Sequence, residues 1–341
     1  DGYKEIYFGS DNNLLHGHNS FGEELVGFPF QSTDRIRSSP AIGDVDNDGQ
    51  MEIVFGNSSG KLYIINQDGS QQLAYTQLGF IEGAPALVDI DGDQDLEIIF
   101  TTTTGSGGQV YVIHHNGATE SGFPKEIGSM FAGPAVHDLD NDGVVDVVCV
   151  TYDKEIYAIE AIGGAIKSGF PFTAERQFSM PATIVDIDSD GDYEIAAGCN
   201  SGDLYILHHD GTIHSQYDTG DDIRGGISVC DLNNDGQLDL LFGGYDDKIH
   251  VWDPMAGELL PGWPVDLGYN SLSEPVIADL DGDGQVEVLA ARKTGKIFAY
   301  ESDGTLMGNF PIPVEGSIES SPAIEDIDGD GDLELIIGTT A

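Results

Sequence analysis

Basic residues, cysteines and long apolar runs are all scarce in this sequence of 341 residues. Lysine and arginine number 13 against 60 aspartates and glutamates, which leaves a formal net charge of −47 at pH 7. This balance excludes a nucleic-acid-binding surface, which needs clustered Lys and Arg, and insertion into or docking on an anionic membrane. The cysteines Cys149, Cys199 and Cys230 are odd in number and scattered, so they form neither a disulfide framework nor a zinc motif. No apolar run reaches the roughly 18 residues of a membrane-spanning helix.

The acidic residues are ordered in a repeat. A nine-residue acidic segment recurs seven times, six of them with the pattern D-x-D/N-x-D-G-x-x-D/E, and consecutive copies start 45 to 49 residues apart. A period in the forties with strand-like content is typical of propeller blades. We name these segments loops 1 to 7, at residues 44–52, 89–97, 138–146, 186–194, 231–239, 279–287 and 326–334.

Four short strands are predicted in each repeat. One leads into the loop, as at residues 40–43, and a second leaves it, as at residues 52–56. A third alternates apolar and polar residues, as at 61–65, and ends at an Asp-Gly or Asn-Gly hairpin turn. A fourth often ends in Gly-aromatic-Pro, which suits an outer edge strand. No helical periodicity is present.

The fold expected from this pattern is all-β: a seven-bladed β-propeller with four antiparallel strands per blade. The chain opens with a match to the end of an acidic loop and closes after a second strand, so we expect a closing blade shared by the N- and C-termini. An eight-bladed propeller or an open array is the alternative. Residues 1–341 are interpreted as a single domain of seven repeats of about 47 residues, cut from a longer chain.

Each loop is predicted to bind one Ca²⁺, about seven in all. Side chains at positions one, three and five converge when the backbone curls, and the carbonyl at position seven and the carboxylate at position nine complete an all-oxygen cage. Without metal the carboxylates would repel one another, so the ions are expected to support folding. The predicted ligands are Asp44, Asp46, Asp48, Gln50, Glu52, Asp89, Asp91, Asp93, Asp95, Glu97, Asp138, Asp140, Asp142, Val144, Asp146, Asp186, Asp188, Asp190, Asp192, Glu194, Asp231, Asn233, Asp235, Gln237, Asp239, Asp279, Asp281, Asp283, Gln285, Glu287, Asp326, Asp328, Asp330, Asp332 and Glu334.

Two loops differ from the other five. Loop 2 has Gln94 where the others have Gly, so its turn is expected to be strained. Loop 5 has Asn233 at position three and therefore one charge fewer, which predicts the weakest site.

The chain resembles FG-GAP (VCBS-type) repeat proteins, the family of the integrin α-subunit propeller. The residues that carry the resemblance are Phe8-Gly9, Phe55-Gly56 and Phe242-Gly243, the sequence Gly83-Ala84-Pro85, and the acidic loops between such motifs. The resemblance covers essentially the whole chain. It implies calcium loops on one rim of a propeller and ligand recognition on the opposite face.

Most basic residues lie on the strand connections that should emerge opposite the calcium loops. One position there, three residues before the proline that precedes each first strand or its equivalent, varies in chemical type, which is unusual for a structural repeat position. These residues are candidate ligand contacts, although salt bridges between loops, for example from Arg37 to Glu82, explain the charges equally well. They are Arg37, Glu82, Phe131, Phe178, Arg224, Leu272 and Glu319.

No catalytic constellation stands out, so we expect no enzyme activity. His114-His115 and His208-His209 are interpreted as surface residues of their blades rather than as metal or catalytic pairs. The sequence favours a secreted or cell-surface calcium-binding module for adhesion or recognition of a glycan or protein. Two alternatives stay open: an enzyme similar to calcium-dependent polysaccharide lyases, and a structural repeat segment of a large surface protein.

Overall fold

The computed structural model describes residues 4–340, which form thirty β-strands grouped in eight antiparallel sheets. Across these residues no helix is present, and therefore none that could span a membrane. The described residues divide into two compact units: 4–174 with 327–329, and 175–326 with 330–340.

The first unit contains sheets A to D, whose strands follow one another in chain order. Sheet A has three strands, and sheets B, C and D have four each. Their bounds are, for A, β1 (Ile6–Gly9), β2 (Leu14–His18) and β3 (Phe30–Gln31); for B, β4 (Ala41–Gly43), β5 (Glu52–Gly56), β6 (Lys61–Asn66) and β7 (Gln71–Thr76); for C, β8 (Ala86–Val88), β9 (Glu97–Thr101), β10 (Gln109–Ile113) and β11 (Lys125–Glu126); for D, β12 (Ala135–His137), β13 (Asp146–Val150), β14 (Glu155–Glu160) and β15 (Phe172–Thr173).

The second unit contains sheets E to H, built in the same way. Sheet H has two strands, and sheet F has a fifth, β24, paired with β22. The bounds are, for E, β16 (Thr183–Val185), β17 (Glu194–Gly198), β18 (Asp203–Leu207) and β19 (Ile213–Asp218); for F, β20 (Ser228–Cys230), β21 (Asp239–Gly243), β22 (Lys248–Asp253), β23 (Glu258–Leu259) and β24 (Val265–Asp266); for G, β25 (Val276–Ala278), β26 (Glu287–Arg292), β27 (Lys296–Tyr300) and β28 (Ile312–Pro313); for H, β29 (Ala323–Glu325) and β30 (Glu334–Ile336).

The predicted strand order is confirmed, and six sheets carry the full four-strand meander. Within residues 4–340, sheet A has no first strand, and sheet H has no third or fourth strand. The second strand of each complete sheet is buried along its whole length except for the last residue of β26. Each acidic loop joins a first strand to a second strand, so the rigid buried strand holds the last residue of the loop.

Apolar side chains fill the space between neighbouring sheets inside each unit. Between sheets B and C, for example, Phe100 stacks on Tyr111 with ring centroids 4.8 Å apart, and both rings meet the edge of Tyr75 at 6.2 Å. Full burial of a large apolar side chain contributes roughly 1.5–3 kcal/mol. These interlayer cores fix how far the loops of adjacent sheets lie from one another.

The prediction for the Gly-aromatic-Pro motif was wrong in position, because the motif precedes the short fourth strand instead of ending it. Pro29 lies immediately before β3 and Pro171 immediately before β15, and in sheet F Pro264 lies immediately before the additional strand β24. The glycine is required by a close approach: a Cβ on Gly27 would lie 1.9 Å from the Asp68 carbonyl oxygen. At Gly262 the same atom would lie 1.8 Å from the Asp303 carbonyl oxygen. At these two places the motif therefore seats the strand that follows it against the hairpin turn of the next sheet.

Candidate metal centres

The loops are held in a curled conformation by their own side chains. In loop 1 the Asp44 carboxylate accepts hydrogen bonds from the backbone N–H groups of Asp48 and Gly49, at 3.0 and 2.9 Å. The Asp48 carboxylate accepts one from the Gln50 N–H at 2.8 Å. The bond from position seven to position five recurs in all seven loops, at 2.8 to 3.1 Å. These bonds curl each loop and leave other carboxylate oxygens available, so that the acidic groups could hold a metal ion.

Positions four and six of the loops adopt left-handed backbone conformations. Position six is Gly in six loops, and in loop 2 Gln94 takes φ 80°. A non-glycine residue held there costs on the order of 1–3 kcal/mol, so this geometry agrees with the expected strain of loop 2. The requirement at position four was not predicted. There Asn and Gly dominate, because Asn tolerates this conformation better than most residues, and the values run from φ 52° at Asn141 to φ 80° at Gly92.

The acid at position nine is the buried anchor of each loop. In loops 1 to 6 its side chain is at most 2 % exposed. One of its oxygens accepts the N–H of position two, at 2.7 to 3.1 Å, as when Val45 donates to Glu52. Burial raises the pKa of all six carboxyls, that of Asp239 to about 6. A buried carboxylate of this kind costs free energy unless a cation compensates it.

The structure brings predicted ligands of individual loops within coordination range. In loops 2, 3 and 4, one oxygen from each acid at positions one, three and nine lies within 4.8 Å of the other two, and in loop 1 the same holds for positions one, three and five. Buried oxygens of Asp46, Asp146 and Asp186 have no hydrogen-bond partner among the described residues. Oxygen donors orphaned in this way fit a hard divalent cation.

Loop 7 shows the same internal hydrogen bonds at its end. Gly331 N–H donates to Asp326 at 3.1 Å, and Asp332 N–H donates to Asp330 at 2.9 Å. Its position-nine acid, Glu334, is only half-buried. The predicted ligands of loops 5 and 6 lie on loops that are curled by the same hydrogen bonds from backbone N–H groups to the carboxylates at positions one and five.

Lys167 is a partner of loop 3 that the sequence interpretation missed. Its ammonium nitrogen lies 2.8 Å from Asp140 Oδ2 and 2.8 Å from Asp146 Oδ2, at positions three and nine of the loop. The Lys167 side chain is 9 % exposed. Loop 3 therefore contains a cation of the protein itself.

Histidines approach loops 2 and 4 in an equivalent way, so their interpretation as surface residues was incomplete. His114 Nδ1 lies 2.8 Å from Glu97 Oε1, and His208 Nδ1 lies 3.2 Å from Glu194 Oε1. His209 Nε2 lies 2.9 Å from Asp192 Oδ2. The sequence signal that would have identified His114 and His208 is their position directly after the third strand, because that position lies beside position nine of the loop.

Two of the candidate ligand contacts, Arg37 and Arg224, are each paired with an aspartate. Arg37 forms a fork with the Asp11 carboxylate, Nε to Oδ1 at 3.1 Å and Nη2 to Oδ2 at 3.4 Å, and does not need Glu82 as its partner. Arg224 bonds Asp222 Oδ2 at 2.9 Å and lies over the Tyr245 ring at 4.9 Å.

The other candidates differ in accessibility. Phe131 is 36 % exposed and meets Tyr152 edge-on, with centroids 4.7 Å apart. Glu319 pairs with Lys293 at 2.9 Å, while Glu82 and Leu272 are half-buried. Phe178 is 1 % exposed and packs near Tyr205, so it cannot offer its ring to a ligand and the prediction for it was wrong.

Comparison with known proteins identifies the repeat. A sequence model of the FG-GAP-like repeat matches residues 44–100, 89–149, 186–242, 231–290 and 279–337, which together cover more than half of the chain. A search of curated protein sequences found no relative.

Solved structures of β-propeller proteins are similar to this chain. The V. cholerae biofilm matrix protein Bap1 has a TM-score of 0.73 and 13 % identity, over 99 % of this chain and 81 % of that one. Sqt1 of Saccharomyces cerevisiae has a TM-score of 0.75 and 14 % identity, over 99 % and 91 %. BamB of Moraxella catarrhalis has 0.65 and 18 %, over 94 % and 88 %. At these identities the likeness shows the β-propeller fold alone.

Proposed function

The chain belongs to the FG-GAP-like repeat family, and on that premise we propose that it is a calcium-stabilised β-propeller acting outside the cell or on its surface. In this proposal it recognises a glycan or a protein. The observation that carries the metal part is the buried acid at position nine, repeated in six loops and at most 2 % exposed. Ca²⁺, which takes six to eight oxygen ligands, would neutralise these carboxylates and join the two strands that flank each loop.

Calcium content is the direct test of the metal part. Metal analysis after equilibration with millimolar Ca²⁺ should give about one ion per loop. The variant Asp44→Asn should remove one ion, whereas Asp68→Asn, on a hairpin turn outside the loops, should remove none. A content of fewer than five ions, or an equal loss in both variants, would contradict the proposal.

The blade count belongs to the proposal as well. We propose seven blades, in which sheets A and H are two parts of one blade and sheet H supplies the first strand that sheet A does not have. Small-angle scattering in Ca²⁺ should give the maximum dimension of a closed ring with a central channel. A larger dimension that fits only an open arc would support the alternative array.

The recognition part is proposed for the connections that carry Arg37, Phe131 and Arg224. Bap1, a similar structure, is a biofilm matrix protein, which favours an adhesion-type role here. Guanidinium groups pair with carboxylate or sulfate groups in a planar fork, and an exposed aromatic edge suits a sugar. An anionic glycan would be repelled by the rest of this acidic chain, so the field would steer it to these residues.

A glycan array with and without a chelator tests recognition. Arg37→Ala combined with Arg224→Ala should weaken binding of uronic-acid or sulfated glycans and leave calcium content unchanged. Arg35→Ala combined with Arg176→Ala removes the same two charges, serves as the control and should bind normally. If the double variant binds as well as the control, these arginines serve only their aspartate partners.

A further inference from the structure

We propose that His16, His18 and Glu24 form a binding site for a divalent first-row transition-metal ion, best suited to Zn²⁺ and separate from the calcium loops. One ligand atom from each of the three side chains lies within 4.8 Å of the other two. The site is in sheet A, and none of the seven acidic loops joins two of the described strands of this sheet.

The two histidines share one face of β2, because side chains alternate along a strand. Phe8 on β1 is paired with His16 and supplies a flat platform beneath both rings. The Phe8 ring is stacked at 5.1 Å from His16 and 5.6 Å from His18, and the two imidazoles are 6.1 Å apart and nearly parallel. Stacking restricts the imidazoles, so a metal would not have to order them.

A compact turn after β2 presents the carboxylate. The Asn19 side-chain oxygen accepts the N–H groups of Phe21 and Glu23, at 3.0 and 2.9 Å. Glu24 then pairs with His18 in a single antiparallel bridge. The Glu24 Oε1 atom reaches His16 Nδ1 at 3.1 Å. The backbone of the turn, rather than a flexible side chain alone, therefore brings the third donor to the histidines.

The hydrogen bond of His18 prepares it to bind a metal. Its Nδ1 lies 3.1 Å from the Gly22 carbonyl oxygen, and a carbonyl can only accept, so Nδ1 carries the hydrogen. The lone pair is then on Nε2. A histidine ligand that donates its other N–H to a backbone carbonyl is the usual support for a metal-bound imidazole.

The donor set selects the metal. Two imidazoles and one carboxylate suit Zn²⁺ and its neighbours, whereas Ca²⁺ takes oxygen ligands. Three protein donors leave a position open for water or another ligand. The side chains of His16 and Glu24 are 22 % and 40 % exposed, so an ion can reach them from solvent.

The histidines also depart from the other repeats. By strand register, His18 corresponds to apolar or aromatic residues in the six complete sheets, and His16 to aromatic residues in five of them. Packing between sheets alone would not select two histidines in this place. The residues that correspond to His18 are Ile65, Ile113, Ile159, Leu207, Trp252 and Tyr300.

Titration of Zn²⁺ into the calcium-saturated protein by calorimetry tests the proposal, with Co²⁺ absorption as a second readout. We expect one tight equivalent of Zn²⁺ and a visible Co²⁺ band typical of nitrogen and oxygen donors. His16→Gln or His18→Gln should each weaken this equivalent at least tenfold and abolish the band. Glu24→Gln should weaken it by a smaller factor.

Glu23→Gln is the matched control, since it removes the same charge from the adjacent residue and leaves the three donors in place. It should bind Zn²⁺ as the parent protein does. The proposal is overturned if His18→Gln keeps the full equivalent, or if Glu23→Gln weakens it as much as Glu24→Gln. Folding of each variant is checked by calcium content, which should not change.

Discussion

Loop 3 and loop 5 have the same motif and the same backbone hydrogen bonds, yet their charged neighbours are opposite. In loop 3 the Lys167 ammonium bonds the carboxylates of Asp140 and Asp146 at 2.8 Å. In loop 5 no lysine, arginine or histidine within residues 4–340 forms an ion pair with a loop carboxylate. Instead the charge of Asp253 adds to burial in raising the pKa of Asp239. Loop 3 therefore has a cation of the protein itself beside its carboxylates. Under the proposed function, loop 5 would rely on Ca²⁺ alone.

Removal of calcium should have the largest effect and should separate these loops. Binding to the folded state alone stabilises it by about 2.7 kcal/mol per site at a hundredfold excess over the Kd. After chelation we expect the amides of sheet F, beside loop 5, to exchange hydrogen sooner than those of sheet D, beside loop 3. Hydrogen exchange by mass spectrometry measures this order. Exchange in sheet D first, or in both at once, would break the comparison.

Lys167→Met should destabilise the calcium-free protein by about 3–5 kcal/mol, because it leaves two carboxylates facing each other with one of them fully buried. Urea unfolding measures the change. Lys61→Met removes the same charge from another sheet and is expected to change the free energy of unfolding little. Calcium should reduce the loss in Lys167→Met, since the ion replaces the ammonium. Equal stability of the two variants would show that Lys167 does not neutralise loop 3.

Calcium affinity should change by a smaller factor, in opposite directions in the two loops. Lys167→Met is expected to raise the affinity of loop 3 about tenfold by removing a competing cation, equivalent to about 1.4 kcal/mol. Asp253→Asn should lower that of loop 5 about threefold. Competition with a fluorescent chelator measures both, and Asp210→Asn on an exposed hairpin is the control.

The same titration distinguishes two rankings of the sites. Formal charge predicts that loop 5, with Asn233, releases calcium first. The contacts of Lys167 predict that loop 3 does so. If the charge ranking is right, Asn233→Asp should raise the calcium affinity of the site that empties first. If the other ranking is right, the affinity of that site should not change.

The smallest expected effect concerns the backbone of loop 2. Gln94→Gly should raise the free energy of unfolding by about 1 kcal/mol, because Gly takes the left-handed conformation without strain. The reverse change in loop 3, Gly143→Gln, should lower it by a similar amount. Thermal unfolding in excess Ca²⁺ measures both. A loss of stability in Gln94→Gly would show that the Gln94 side chain contributes contacts that outweigh the strain.

Much of the fold and of the metal centres could be predicted from the sequence. The repeat period locates each loop between two strands, and the alternation of acids identifies the residues that converge, as Asp44, Asp46 and Asp48 do. These features are local, because the convergence of every second side chain along a curled loop depends only on residues that are neighbours in the sequence. The placement of Phe178 was wrong because burial depends on how the loop before Pro181 packs, which spacing does not reveal.

The sequence by itself determined where the candidate metal centres lie, since the motif carries the carboxylates that converge, its left-handed glycines and its buried ninth residue. Only the tertiary structure decided which charge stands beside each loop. Lys167 lies 21 residues after Asp146, the last residue of loop 3. It reaches the loop because β14 pairs with β13 and brings the segment that follows it back to the loop. The same registry sets His114 beside Glu97 in loop 2. Contacts made across paired strands depend on register and side-chain length, and these are settled only when the sheet has formed.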